Sequence, residues 1–206
     1  MSRPVIQFWY EFASTYSYPA AIRVEDMAVQ RGVELRWRPF LLGPIFAEAG
    51  WTTSPFNLLP VKGAYMWRDL ERICAAAGLP FSRPDPFPQN GLKAARIATA
   101  LAPEQVPSFS RAVYLAQFGE RRQIDDETLL ATLIARAGAD AQEMLALSAG
   151  DEVKTRLRES VAEAKALGIF GAPSLTCADG ELFWGNDRLE QAMDHALATH
   201  AATEGA

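Results

Sequence analysis

Strand-like sequence is confined to the two ends of this chain, and that distribution limits the folds open to it. The run Val5-Ile6-Gln7-Phe8-Trp9-Tyr10 is dense in β-branched and aromatic residues and reads as a buried strand. A helix is predicted over residues 16–31, with Tyr18, Ala21, Ile22 and Met27 apolar and Gly32 as its terminator. A second strand is predicted over 33–38, stopped by Pro39. This β-α-β opening favours a parallel pair with a right-handed crossover. The far end returns to β structure: 174–177 and 182–184 read as strands joined through Ala178-Asp179-Gly180, a hairpin signal, before a last helix over 187–198.

Between the ends the pattern is helical. Met66, Leu70, Ile73, Cys74 and Ala77 form one apolar stripe closed by Gly78 and Pro80. Further stripes start at Leu92, Phe109, Leu129 and Val153, the last running to Gly168. Residues 41–60 hold three prolines and two glycines and are expected to form a long loop over a site. The predicted organisation is a discontinuous sheet domain, 1–40 with 165–206, carrying an inserted helical domain at 41–164.

Composition narrows the chemistry. A formal charge of −5 and a pI near 5.1 disfavour a phosphate-neutralising surface, so no nucleic acid partner is expected. The first residues lack a secretory pattern and no stretch is apolar enough to span a bilayer, so a cytoplasmic protein with no membrane association is expected. Cys74 and Cys177 form no C-x-x-C and read as small buried hydrophobes. With only His195 and His200 available, neither a Ser-His-Asp site nor a His/Cys zinc site, nor any other metal site, is expected.

Four segments carry candidate chemistry. In Glu11-Phe12-Ala13-Ser14-Thr15-Tyr16-Ser17-Tyr18, Ser14 stands where a first strand meets a first helix. A hydroxyl there either caps the helix or donates to a bound thiolate beside the helix N-terminus. In Gly168-Ile169-Phe170-Gly171-Ala172-Pro173-Ser174, the Ala172–Pro173 bond is either a trans bond at a strand start or a cis bond. A cis bond would keep the backbone N–H and C=O of Ala172 free for a peptide-like ligand. In Trp184-Gly185-Asn186-Asp187-Arg188-Leu189, Asn186 or Asp187 either caps the last helix or holds the charged ends of an amino-acid-like ligand. Lys62, one of four lysines, lies near Tyr65, Trp67 and Arg68, and this group either binds a carboxylate or is a solvated helix face with core aromatics.

Together the four segments resemble the family of 2-hydroxychromene-2-carboxylate isomerases and kappa-class glutathione transferases, over nearly the whole chain. The family patterns D-F-x-S-P-x-S-Y, N…K-G-x-Y-x-x-x-D-L-x-R, V-F-G-x-P and W-G-N-D-R-L are matched by Glu11 to Tyr18, by Asn57 with Lys62-Gly63-Ala64-Tyr65 and Asp69-Leu70-Glu71-Arg72, by Ile169 to Pro173, and by Trp184 to Leu189. Glu11 stands where the family has Asp, and Thr15 where it has Pro, which adds a second hydroxyl beside Ser14. The resemblance implies an α/β thioredoxin-like fold of DsbA type with a large all-helical insertion. It implies glutathione as cofactor, with Ser14 donating to its sulfur, Ala172 and Pro173 pairing with its cysteinyl backbone, and Trp184, Gly185, Asn186 and Asp187 holding its γ-glutamyl end. Asn57 and Lys62 would position an aromatic or unsaturated carboxylate substrate, with Tyr65, Trp67 and Arg68 on its aromatic side. The implied reaction is cis–trans isomerisation of an aromatic-degradation intermediate, in a homodimer. Glutathione conjugation and non-catalytic thiol or peptide binding are the alternatives; Ser14 and Ser17 stand at the spacing where a dithiol oxidoreductase needs its thiols.

Overall fold

The computed structural model describes residues 2–204. Its sheet has four strands in the order β2-β1-β3-β4: β1 Val5–Tyr10, β2 Glu34–Pro39, β3 Ser174–Cys177 and β4 Leu182–Trp184. β1 pairs with β2 in parallel, Val5 opposite Glu34 through Tyr10 opposite Pro39, and with β3 antiparallel, Trp9 opposite Ser174. β3 and β4 form the antiparallel hairpin expected around Asp179-Gly180, with Gly180 at positive φ. Pro39 does not stop β2 ahead of itself but ends it, because β2 is an edge strand and a missing N–H costs no ladder bond on its open side.

α1 Ser17–Arg31 closes on a left-handed Gly32 and supplies the crossover between the parallel strands. Between β2 and β3 come α2 Leu42–Glu48, α3 Pro55–Leu58, α4 Pro60–Ala76, α5 Leu92–Ala100, α6 Val106–Tyr114 with a π-helical turn at Leu115–Gly119, α7 Glu127–Arg136, α8 Ala141–Ala149 and α9 Asp151–Ala166. α10 Leu189–Glu204 follows β4 through a 3-10 turn at Asn186–Arg188.

Residues 41–60 are therefore not the long loop expected. Pro55 and Pro60 sit in the first turns of α3 and α4, where a missing N–H is harmless, and Ser54 caps α3 by accepting from the Phe56 N–H. α8 was not foreseen; Asp140 caps it by accepting from the Glu143 N–H at 2.8 Å.

Strand alternation gives β1 two buried faces. Ile6, Phe8 and Tyr10, with Phe12 just beyond, point into a core shared with α1, α10 and the helices between β2 and β3, where Tyr18, Phe109, Tyr114 and Phe118 gather. The Tyr10 hydroxyl meets Ser110 Oγ of α6 at 2.8 Å, so the central strand is tied directly to the helical block. Trp9 points the other way, onto Phe40, Leu42, Val161, Ala164 and Ile169, and donates to Thr176 Oγ1 at 3.0 Å. Among the described residues no helix is long and apolar enough to cross a membrane.

Candidate active site

Where β1 ends, the chain makes a tight turn. The Ser14 N–H and the Tyr114 hydroxyl both donate to the Glu11 carbonyl, each at 2.9 Å. Ser14 is thereby held at the carboxyl end of the central strand, and its hydroxyl donates to the Ala172 carbonyl at 2.8 Å. Capping is not its role: the N-cap position of α1 is Tyr16, with no side-chain cap bond, and Thr15 offers the Tyr18 N–H only its backbone carbonyl. The Ala172–Pro173 bond is cis, and Ala172 lies just ahead of the ladder that starts with Ser174 opposite Trp9. The Ala172 carbonyl is not free, however, because Ser14 already occupies it.

The chain leaving β4 builds the next wall. The Gly185 N–H donates to the Pro173 carbonyl at 2.9 Å, and Gly185 has φ +123°. Only glycine suits it, since a Cβ there would lie 2.5 Å from Asp187 Oδ1. Neither Asn186 nor Asp187 caps the 3-10 turn that leads into α10. The Asn186 carbonyl accepts from Arg23 at 2.7 Å, and Asp187 pairs with Arg188 at 3.0 Å. Trp184 is half exposed and edge-on to Phe170 at 4.8 Å.

The opposite wall is α4. Lys62, Tyr65, Met66, Asp69 and Ile73 recur at helical spacing and share the face turned to the cavity. The Lys62 ammonium rests over the Phe56 ring, and the Tyr16 hydroxyl donates to Asp69 at 3.0 Å. Trp67 and Arg68 do not line the cavity, because one and two residues past Met66 the helix has turned them away. Trp67 packs edge-on against Phe87 at 4.7 Å and Arg68 pairs with Glu71 at 3.0 Å. Asn57 is also outside: it faces away on α3, donating to the Phe87 carbonyl at 3.1 Å. Pro173 shapes the turn without joining the wall.

These walls enclose about 1080 Å³. Ser14, Ala172, Trp184, Gly185, Asn186 and Asp187 meet Lys62 and Tyr65 around this single space, under α2, α3 and the 87–92 segment. Sequence reasoning missed Glu11, Tyr16, Phe56, Asp69 and Phe170 as wall residues; helical spacing from Lys62 and adjacency to Ser14 and Ala172 were the available signals, and the 87–92 segment carried none.

Burial dominates the electrostatics. It pushes the Glu11 carboxyl up to about 7, against an opposing Ala13 N–H bond. Tyr16 is raised above its ordinary range by burial and by its bond to Asp69. Burial lifts the thiols of Cys74 and Cys177 to about 11, which keeps both protonated and inert at neutral pH. Any thiolate chemistry in the cavity therefore has to use a sulfur brought by a ligand.

A family model described as a DSBA-like thioredoxin domain matches residues 5–197. A 2-hydroxychromene-2-carboxylate isomerase of Sphingobium xenophagum is 28% identical over 186 residues, covering 90% of this chain and 94% of the relative. Glutathione S-transferase kappa 1 of Homo sapiens is 27% identical over 202 residues, covering 90% and 87%. A solved structure of a 2-hydroxychromene-2-carboxylate isomerase superposes with a TM-score of 0.84 at 26% identity, covering 97% of this chain and 98% of that one.

Proposed function

The chain belongs to the DSBA-like thioredoxin domain family, and from that premise we propose that it is a glutathione-dependent cis–trans isomerase of the 2-hydroxychromene-2-carboxylate type, acting on an intermediate of aromatic-compound degradation. The observation that carries this reading is the Ser14 hydroxyl, 2.8 Å from the Ala172 carbonyl on the wall of one large, mainly apolar cavity. One feature of the cavity wall supports glutathione as its ligand. Thr15 Oγ1 and Asn186 Oδ1 are buried on this wall without hydrogen-bond partners among the described residues, as expected beside a ligand rich in N–H groups.

Glutathione bound here would supply a thiolate for reversible addition to the conjugated carbon of the substrate, which frees rotation about the former double bond without consuming glutathione. Ala172 pairs through its backbone with the cysteinyl unit, and Ser14 turns its hydroxyl from that carbonyl to the sulfur. A carbonyl oxygen has two lone pairs, so the ligand N–H and Ser14 can exchange there at little cost. Trp184, Gly185, Asn186 and Asp187 hold the γ-glutamyl end. Lys62 fixes the substrate carboxylate, and Tyr65 flanks its ring. Asn57 and Trp67 support the cavity from behind through Phe87, and Arg68 takes no part.

The reading is tested by following 2-hydroxychromene-2-carboxylate with and without glutathione. Conversion to the ring-opened trans isomer that depends on glutathione without consuming it is expected; a rate indifferent to glutathione overturns the proposal. The similar identity to a kappa-class transferase favours conjugation as the second reading. Mass spectrometry separates the two, since only conjugation leaves glutathione on the product.

A further inference from the structure

Three carboxylates face the cavity, and two of them are already neutralised. Asp69 accepts from the Tyr16 hydroxyl and from Arg72, each at 3.0 Å, and Asp187 pairs with Arg188. Glu11 forms no ion pair among the described residues; the donor to its carboxyl is the Ala13 backbone N–H. Its position is fixed, since two hydrogen bonds clamp its carbonyl three residues before Ser14. Gly91 covers the carboxyl from one side, where a Cβ would come within 3.4 Å of Oε1. The titratable groups packed around it are Tyr10 of β1 and Tyr114 of α6, both held neutral by burial, while Lys62, Tyr16, Asp69 and Asp187 share the cavity.

A serine hydroxyl can stabilise a thiolate, but it cannot keep the thiol proton, because a protonated hydroxyl is a far stronger acid than a thiol and the serine alkoxide does not form near neutral pH. Releasing that proton to water while Glu11 stays ionised would put two negative charges into one apolar cavity. We infer that Glu11 is the proton acceptor for the glutathione thiol, the S–H bond breaking as an O–H bond forms on the carboxyl, so that the site carries one negative charge before and after. The proton returns to sulfur when glutathione leaves. An ionisation near 7 suits this exchange, because about half of the acceptor is charged at neutral pH and the proton is given back easily. The inference rests on the proposal that glutathione binds here.

Calorimetric titration of glutathione in buffers of different ionisation enthalpy counts the protons released, and the ultraviolet thiolate band counts the thiolate formed. For the unaltered protein, release should fall from about one proton per thiolate near pH 6 to about none near pH 8, as Glu11 becomes ionised in the free site. Glu11→Gln should release about one at both. Glutathione binding as thiolate with about one proton released near pH 8 by the unaltered protein overturns the role of Glu11 alone. Absence of any glutathione binding overturns the functional reading as well. The pH series on the unaltered protein decides the matter even where the variant fails to fold.

Discussion

Ser14 has one hydroxyl proton, and the structure shows it engaged with Ala172. A ligand sulfur must compete for it, so the size of its effect is bounded by one charge-assisted hydrogen bond, roughly 1.5–3 kcal/mol. Ser14→Ala should lower kcat about 10- to 100-fold with an unchanged far-ultraviolet spectrum; an unaltered kcat would remove Ser14 from the mechanism. Lys62 and Arg68 make a sharper contrast. Lys62→Gln should raise KM for the carboxylate substrate about tenfold, whereas Arg68→Gln should leave KM within about twofold, since Arg68 makes only an exposed ion pair with Glu71. Equal effects of the two would contradict the orientation of α4. This pair also shows what was legible at the residue scale. Motif matching picked out Lys62 and Tyr65, which lie on the cavity wall, whereas Trp67 and Arg68 were grouped with them by adjacency, which takes neighbours in sequence for neighbours in space. Glu11 and Asp69 were matched to the motifs but given no role, for the opposite reason: an acidic residue in a motif looks the same whether it is solvated, paired or buried, and only packing separates those cases.

At the scale of elements, the cover of the cavity depends on how closely α3 and α4 approach. Gly63 sits where a Cβ would be 2.2 Å from the Phe56 carbonyl oxygen, which is backbone and cannot swing aside. Gly63→Ala should therefore displace α3 from α4 and cost about 1–3 kcal/mol, lowering Tm by several degrees in a scanning experiment. It should also raise KM, because Phe56 and Lys62 would move with the two helices; unchanged Tm and KM together would refute the contact. The sequence marked this segment as covering a site but read it as a loop. Proline is ambiguous by itself: it breaks a helix interior yet suits a first turn, and Pro55 and Pro60 take the second option. β1 was legible as a dense run of β-branched and aromatic residues, and α1 and the terminal hairpin were legible because Gly32 ends the one and Gly180 turns the other. α8 was not, since most of its apolar residues remain partly exposed and produce no clear stripe.

At the scale of the whole molecule, β1 is buried on both faces, with Trp9 serving one core and Ile6, Phe8 and Tyr10 the other. The sheet was readable from the chain ends, but its continuity with the helical block was not, because Tyr10 meeting Ser110 is a contact across 100 residues. That arrangement fixes the surroundings of Glu11: the turn that carries it leaves the core strand and is clamped by Tyr114 of α6. A site built on the core imposes its electrostatics on global stability. Glu11 ionises near 4.5 in an unfolded chain and near 7 in the folded one. Between those values the folded protein holds more protons than the unfolded, so the Glu11 contribution to stability is greatest below about pH 4.5 and declines as pH rises through about 7. The full shift would correspond to roughly 3 kcal/mol, and water in the cavity reduces this to about 1–2 kcal/mol. Glu11→Gln keeps the shape and removes the charge. The stability of Glu11→Gln relative to the unaltered protein, from urea unfolding at a series of pH values, should therefore rise by about 1–2 kcal/mol between pH 4.5 and 8. A difference independent of pH over that interval would mean that the carboxyl is solvated in the folded state, and the cavity would then be a more polar environment than its walls imply.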